Sequence, residues 1–239
     1  MVVLITGGSG KLGRCLVPLF EKSLAPTQSE LDITDRDGVF RFIETNRPEV
    51  IIHLAALTGI RQCEEDKKLA WGTNVKGTEN LVDACLEYKP DVYFIYISTA
   101  CVFDGESGMY NEESTPGPKN FYSLTKLIGE FPVKKLQNHL IIRTNFVARE
   151  KWPYPKAFTD RFGTYLFADD LAKAIKDVID SKQNGIIHIT GDEKMSMFEL
   201  AKITTPDVQP MTLKEYQGPP LTVDMTLDTI RWKKYKISK

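Results

Sequence analysis

Apolar and polar positions follow two periods along this chain, and the switches between them predict its elements. Residues 2–6 form a short β-branched apolar run, read as a strand. Leu12, Cys15, Leu16, Leu19 and Phe20 follow at helical spacing. Residues 24–27 read as a short second strand. Residues 34–46 read as a helix with Val39, Phe40, Phe42 and Ile43 on its apolar side, closed by Pro48. A strand over 49–54 precedes a long helical stretch over 65–88, with Leu69, Ala70, Asn74, Val75, Leu81, Val82 and Cys85 along it. Residues 92–97 are uninterrupted by charge, as expected of a parallel strand covered on both faces. A helix over 122–131 is expected to be cut short by Pro132. Then come a strand over 140–142, a helix over 170–179 and a strand over 186–189. Ser196 and Glu199 have the capping-box spacing that opens a helix toward Ile203.

Strands alternating with helices imply βαβ units with right-handed crossovers, hence an α/β fold with a Rossmann-type doubly wound parallel sheet. The expected division is a dinucleotide-binding domain over 1–145, its sheet completed by the helix and strand in 168–190. The irregular, aromatic-rich stretch 146–167 and the segment 191–239 would make a small substrate-binding cap.

With 239 residues the chain is long enough for a sizeable core. Its 42% hydrophobic and 26% charged residues are those of an ordinary globular protein. A net charge of −1 with no basic stretch argues against a nucleic-acid partner. The apolar runs are too short to span a bilayer, and the N-terminal residues lack a signal-peptide pattern. Cys15, Cys63, Cys85 and Cys101 are scattered, which suits a reduced, cytoplasmic setting. His53, His139 and His188 each lie in or beside an apolar strand, as core or edge residues would, so no metal site is expected.

The first strand runs straight into Thr6-Gly7-Gly8-Ser9-Gly10-Lys11-Leu12-Gly13. Gly7, Gly10 and Gly13 give the spacing at which one glycine makes a tight turn, one lets a pyrophosphate touch bare backbone, and one brings helix and strand together. The helix start would point amides and a positive dipole end at the phosphates. We therefore expect a bound NAD or NADP over this loop. The end of the second strand reads Thr27-Gln28-Ser29, with neither the acid that marks NAD nor the arginine that marks NADP. Lys11 is placed to meet a 2′-phosphate or to stay solvated. Asp32 is placed to meet the adenine end or to cap a helix.

Tyr122 and Lys126 lie four residues apart on one helix face, just after the strand that ends at Ser98-Thr99. A neighbouring ammonium and an oxidised nicotinamide ring both favour a phenolate, which would make Tyr122 a general acid/base near neutral pH. Thr99 would donate to a substrate carbonyl and help hold Tyr122.

These features together resemble the extended short-chain dehydrogenase/reductases. The glycine motif, His53-Leu54-Ala55-Ala56, Asn74-Val75-Lys76-Gly77-Thr78, Ser98-Thr99 and Tyr122-x-x-x-Lys126 occur in that family's order over roughly residues 1–190. Within it the chain looks most like the dTDP-4-dehydrorhamnose reductases, through Leu31-Asp32-Ile33-Thr34-Asp35, the 98–105 stretch, Ile142-Arg143-Thr144 and Thr226-Leu227-Asp228-Thr229.

The resemblance implies a catalytic triad of Thr99, Tyr122 and Lys126. Tyr122 would protonate a sugar oxygen, and Lys126 would hold the nicotinamide ribose and lower the tyrosine pKa. It implies cofactor contacts from Gly7, Ser9, Gly10, Lys11, Leu12, Asp32, Ile33, Leu54, Ala55, Ala56 and Asn74. Substrate contacts would come from Thr99, Cys101, Phe103 and Asn145. Read from the residues alone, Trp152 and Arg161 of the aromatic-rich stretch either line the cap, an aromatic there stacking on a base and Arg161 meeting a diphosphate, or simply pack a short irregular segment. The substrate would be a 4-keto-6-deoxy sugar nucleotide, and a homodimer would form through the 65–88 and Tyr122 helices.

Three departures from those reductases leave alternatives. The chain is shorter between Arg143 and Asp170, Thr99 is followed by Ala100-Cys101, and Pro132 falls in the Tyr122 helix. Cys101 stands where some sugar-nucleotide epimerases carry an acid/base cysteine, with Glu150, Lys151 or Lys156 as candidate second bases, or it is a small buried cysteine. A non-catalytic regulatory subunit that keeps the cofactor fold is the other reading.

Overall fold

A computed structural model describes residues 1–238. Its core is a six-stranded parallel sheet. β1 (Val3–Thr6), β2 (Ser23–Leu24), β3 (Val50–His53), β4 (Tyr93–Ile97) and β5 (His139–Thr144) are joined at the far edge by the strand Gly185–Ile189. From that edge the order is Gly185–Ile189, β5, β4, β3, β1, β2. The chain therefore reverses direction across the sheet between β1 and β3, the position at which doubly wound folds open a ligand crevice.

Period-2 alternation decides what each strand buries. Val3, Ile5, Val50, Ile52, Ile95, Ile97, Leu140 and Ile142 point to one face and pack on Leu16 and on Leu171, Ile175 and Val178. Leu4, Ile51, Phe94, Tyr96 and Ile141 point to the other and pack on Val39, Ile43, Leu81 and Cys85. With both faces covered, the strands carry no solvent-facing polar row, which is why they read as continuous apolar runs.

The helices are α1 (Gly13–Leu16), α2 (Arg36–Asn46), α3 (Ile60–Glu65), α4 (Lys67–Trp71), α5 (Gly77–Tyr88), α6 (Phe121–Val133), α7 (Ala168–Asp180) and α8 (Met197–Thr204). Several elements differ from the sequence reading. The first is one α turn followed by a 3-10 turn over Val17–Leu19, since Pro18 lacks the N–H that would continue an α ladder. The 65–88 stretch begins at Lys67 and is interrupted by a π turn over Gly72–Lys76. The preceding helix, α3, carries too few apolar residues to announce itself. Pro132 does not stop α6 before itself: the helix runs to Val133, and 3-10-type bonds from Lys134 and Lys135 continue the turn. The second strand covers Ser23–Leu24 rather than 24–27, because Pro26 cannot extend the ladder.

Between β5 and α7 there is no helix. Instead 146–167 makes two- and three-residue strands that pair with later ones: Phe146–Val147 with Leu166–Phe167, Lys156–Phe158 with Gln209–Met211, and Phe162–Gly163 with both Met195–Ser196 and Asp224–Met225. Their apolar residues form two smaller clusters, one around Phe103, Tyr165, Phe167, Met195 and Met225 and one around Ala157, Ala201 and Val208. The capping box at Ser196 and Glu199 is present and starts α8. No helix among the described residues is long and apolar enough to cross a membrane.

Candidate active site

The glycine loop is built so tightly that side chains are excluded from it. Gly7 has φ of +72°, and a Cβ there would lie 2.8 Å from the Ala55 nitrogen. At Gly13 a Cβ would lie 2.5 Å from the carbonyl oxygens of both Gly7 and Gly8. Gly10 differs: a Cβ would approach only the Gly7 carbonyl, at 3.2 Å. Two of the glycines thus serve the turn, and Gly10 keeps its outer side open. With α1 only one turn long, the loop backbone rather than a long helix dipole borders the cavity.

A cavity of about 870 Å³ runs along the C-terminal edge of the sheet from this loop, within the size range of small-molecule sites. Its wall brings together Gly7, Ser9, Gly10, Lys11, Leu12, Asp32, Ile33, Leu54, Ala55, Ala56, Thr99, Tyr122, Lys126 and Asn145. The sequence reading missed Gln28, Thr58, Thr73, Thr144 and Phe146 on the same wall. Thr144 had a signal, as the end of Ile142-Arg143-Thr144. Its hydroxyl is buried without a partner while the residue lines the cavity, as a site awaiting a polar ligand requires. The side-chain-free loop, the elongated cavity and this unpaired hydroxyl fit a dinucleotide.

Two placed residues have duties of their own. The Asp32 carboxylate accepts from the amide and hydroxyl of Thr34, at 2.8 and 2.7 Å, so it shapes the turn into α2 while facing the cavity. Lys11 stays exposed to solvent while paired with Glu150 at the surface.

Thr99 sits just past β4, where its hydroxyl accepts from the Cys101 amide at 3.1 Å and meets the Tyr122 phenol. Asn120 caps α6 by accepting from the Ser123 amide at 2.9 Å, which fixes the helix that carries Tyr122 and Lys126. Burial pushes the Tyr122 phenol above its ordinary range, the Cys101 thiol adds to this, and Thr99 opposes it. The expected lowering by Lys126 is absent because burial pushes that ammonium itself down to about 7, against the pull of Glu130. A phenol that holds its proton is an acid, the form a carbonyl reduction needs.

Five expected contacts do not line the cavity. Asn74 is buried, and its amide clamps the Leu57 backbone, accepting from Leu57 N at 2.7 Å and donating to Leu57 O at 3.0 Å and to Thr125 Oγ1 at 2.9 Å. It fixes the loop after β3. Phe103 is a core ring stacked on Tyr110 with centroids 4.4 Å apart. Trp152 packs with Ala157, Ala201 and Val208. Cys101 turns its thiol to Met225 Sδ at 3.2 Å. Arg161 is buried, donating to Thr222 O at 2.9 Å and to the sulfurs of Met197 and Met225, each at 3.2 Å. For the last four the cause is the short-strand lobe, whose small clusters and methionine sulfurs take up these side chains.

A family model described as the RmlD substrate binding domain matches residues 1–158. The chain is 31% identical over 229 residues to a dTDP-4-dehydrorhamnose reductase of Aggregatibacter actinomycetemcomitans, covering 83% of this chain and 76% of that one. It is 29% identical over 236 residues to methionine adenosyltransferase 2 subunit beta of Rattus norvegicus, covering 83% and 70%. Among solved structures, the dTDP-4-dehydrorhamnose reductase of Bacillus anthracis in complex with NADP superposes with a TM-score of 0.87 at 26% identity, covering 95% of this chain and 90% of that one.

Proposed function

Because the chain belongs to the RmlD substrate binding domain family, we propose that it reduces the 4-keto group of a dTDP-linked 6-deoxy sugar. It is an NAD(P)-dependent oxidoreductase of the short-chain dehydrogenase/reductase type. The observation that carries the finer reading is the meeting of Thr99, Tyr122 and Lys126 in the same cavity as the glycine loop.

When bound, NAD(P)H supplies the hydride. The chain's residues do the rest. Thr99 donates to the keto oxygen, and Tyr122 delivers its phenolic proton to the same oxygen as negative charge develops there. Lys126, as an ammonium, holds the nicotinamide ribose and then offsets the charge left on Tyr122. Arg161 has no carboxylate partner among the described residues, and a buried guanidinium is costly without an anion. A sugar diphosphate would supply that anion if the Met225 thioether moved aside, which an unbranched methionine does readily. Reduction is favoured over Cys101-based epimerisation because the relatives at about 30% identity include named reductases of such sugars.

The test is oxidation of NADPH and NADH by the pure protein across a panel of 4-keto-6-deoxy sugar nucleotides. Turnover lost in Tyr122→Phe supports the reading, and no turnover with any member overturns it. The second reading, a non-catalytic binding subunit, is supported by the likeness to methionine adenosyltransferase 2 subunit beta. It predicts dinucleotide binding without turnover and co-purification with a catalytic partner. We also propose a homodimer through α5 and α6, which expose Leu86 and Phe131. A monomer mass by light scattering at micromolar concentration would refute that.

A further inference from the structure

Lys126 is enclosed by groups from several elements. Its own helix supplies Tyr122 one turn earlier and Glu130 one turn later. β3 supplies His53, which burial keeps neutral. The Glu130 carboxylate is already engaged by Arg143 from β5, at 2.9 and 2.7 Å, and by the Ser98 hydroxyl at 2.6 Å. The one carboxylate that favours the Lys126 ammonium is therefore shared with Arg143 and Ser98. From β4 comes Tyr96, fully buried, with its ring centroid 4.0 Å from Lys126 Nζ. An ammonium over an aromatic face at that distance is attracted by the ring quadrupole, most strongly where water is excluded.

The same tyrosine holds the lysine's backbone. Its hydroxyl donates to the Lys126 carbonyl at 3.2 Å and also meets Thr78. Thr78 in turn donates to Asn74 O at 2.8 Å and contacts His53 Nε2 at 3.0 Å. The phenol reaches a mid-helix carbonyl only because the next turn carries Gly129. A Cβ there would collide with the Tyr96 hydroxyl and come within 3.0 Å of Asn74 O. One side chain thus grips both ends of Lys126, and α6 carries a glycine that admits it.

We propose that Tyr96 is a positioning residue that seats Lys126 on the cavity wall as an ammonium, through its ring face below Nζ and its hydroxyl on the lysine carbonyl. This rests on the reading that Lys126 serves a bound dinucleotide, although the seating itself is a property of the ligand-free protein. Removing the ring leaves a buried ammonium with less to stabilise it, so Lys126 then loses its proton at lower pH.

The experiment follows Lys126 by NMR in ligand-free protein labelled at lysine Cε, with Lys126→Arg to assign the signal. Tyr96→Leu is expected to move the titration midpoint down by about 0.5 to 1.5 pH units, and Tyr96→Phe, which keeps the ring, to leave it near the parent value. If Tyr96→Leu does not fold, phenylalanines of increasing fluorination at position 96 keep the shape and weaken the ring face, and a stepwise downward shift is expected. A midpoint unmoved in Tyr96→Leu, or a flat fluorination series, overturns the proposal. A shift in a protein that binds no dinucleotide would sustain the seating and sink the enzymatic reading instead, so the two failures are distinguishable.

Discussion

His53 Nδ1 lies 2.6 Å from Thr6 Oγ1, which joins the strand beneath the glycine loop to the strand beside it through one buried imidazole. The other ring nitrogen meets Thr78 Oγ1 at 3.0 Å. Burial, with the Lys126 charge adding to it, pushes His53 down to about 3. The unfolded chain takes up this proton near pH ~6.5, and the folded chain does not until about 3. Between those values the unfolded state binds more protons, so stability rises with pH across the window and is lost as pH falls through it. The slope from this residue is on the order of 1.4 kcal/mol per pH unit. Urea unfolding from pH 6.5 to 4 is expected to show it, and His53→Gln to flatten it. Identical slopes in the two proteins would exclude this role.

Glu130 and Arg143 form a bidentate pair with side chains 0% and 4% exposed. Their burial makes the pair asymmetric to mutation: removing one partner strands the other charge, whereas removing both does not. Glu130→Gln is expected to cost about 3–5 kcal/mol by denaturant unfolding. Glu130→Met with Arg143→Met is expected to recover a large part of that. A double variant less stable than the single would contradict this account.

The glycines of the phosphate loop are expected to separate by phenotype. Gly13→Ala drives a methyl to 2.5 Å from two carbonyl oxygens, so it should lower the melting temperature or prevent folding. Gly10→Ala meets only one oxygen at 3.2 Å and should leave the melting temperature nearly unchanged. Its methyl instead occupies the open side, so dinucleotide affinity should drop by roughly tenfold or more, about 1.4 kcal/mol. Calorimetry and thermal unfolding on both variants check this. Equal loss of stability in the two would remove the distinction.

What was readable in the sequence was what repeats locally. The two-faced strands, the loop at Gly7, Gly10 and Gly13, and the Tyr122–Lys126 pair each lie within one or two elements, and their spacing carries the information. What was not readable depends on separations of tens of residues. Ser98, Glu130 and Arg143 meet from three elements, and nothing in their local sequence shows it. Phe103, Trp152 and Arg161 looked like pocket residues because the lobe that buries them is built from strands too short for a periodicity. Asn74 was expected on the ligand through the family resemblance, while the π turn at Gly72–Lys76, next to the clamp of its amide on Leu57, has no sequence signature.

Lys126 gives the pH dependence of ligand binding. Its pKa of about 7 in the ligand-free protein means that an increasing share of molecules lacks the ammonium above neutrality. The hydroxyls of a nicotinamide ribose accept hydrogen bonds and so favour the charged form, which raises the pKa on binding. The sign follows: at pH 6 the lysine is already protonated and binding takes up no proton, whereas at pH 8 binding must take up nearly one. Affinity should therefore fall by up to tenfold per pH unit above 7, until the pKa of the complex is reached. Calorimetry of NADPH binding in two buffers of different ionisation enthalpy measures the uptake directly. Lys126→Met is expected to bind more weakly and to show none of this pH dependence. Parent protein with the same affinity and no proton uptake between pH 6 and 8 would mean that Lys126 does not contact the nucleotide as an ammonium.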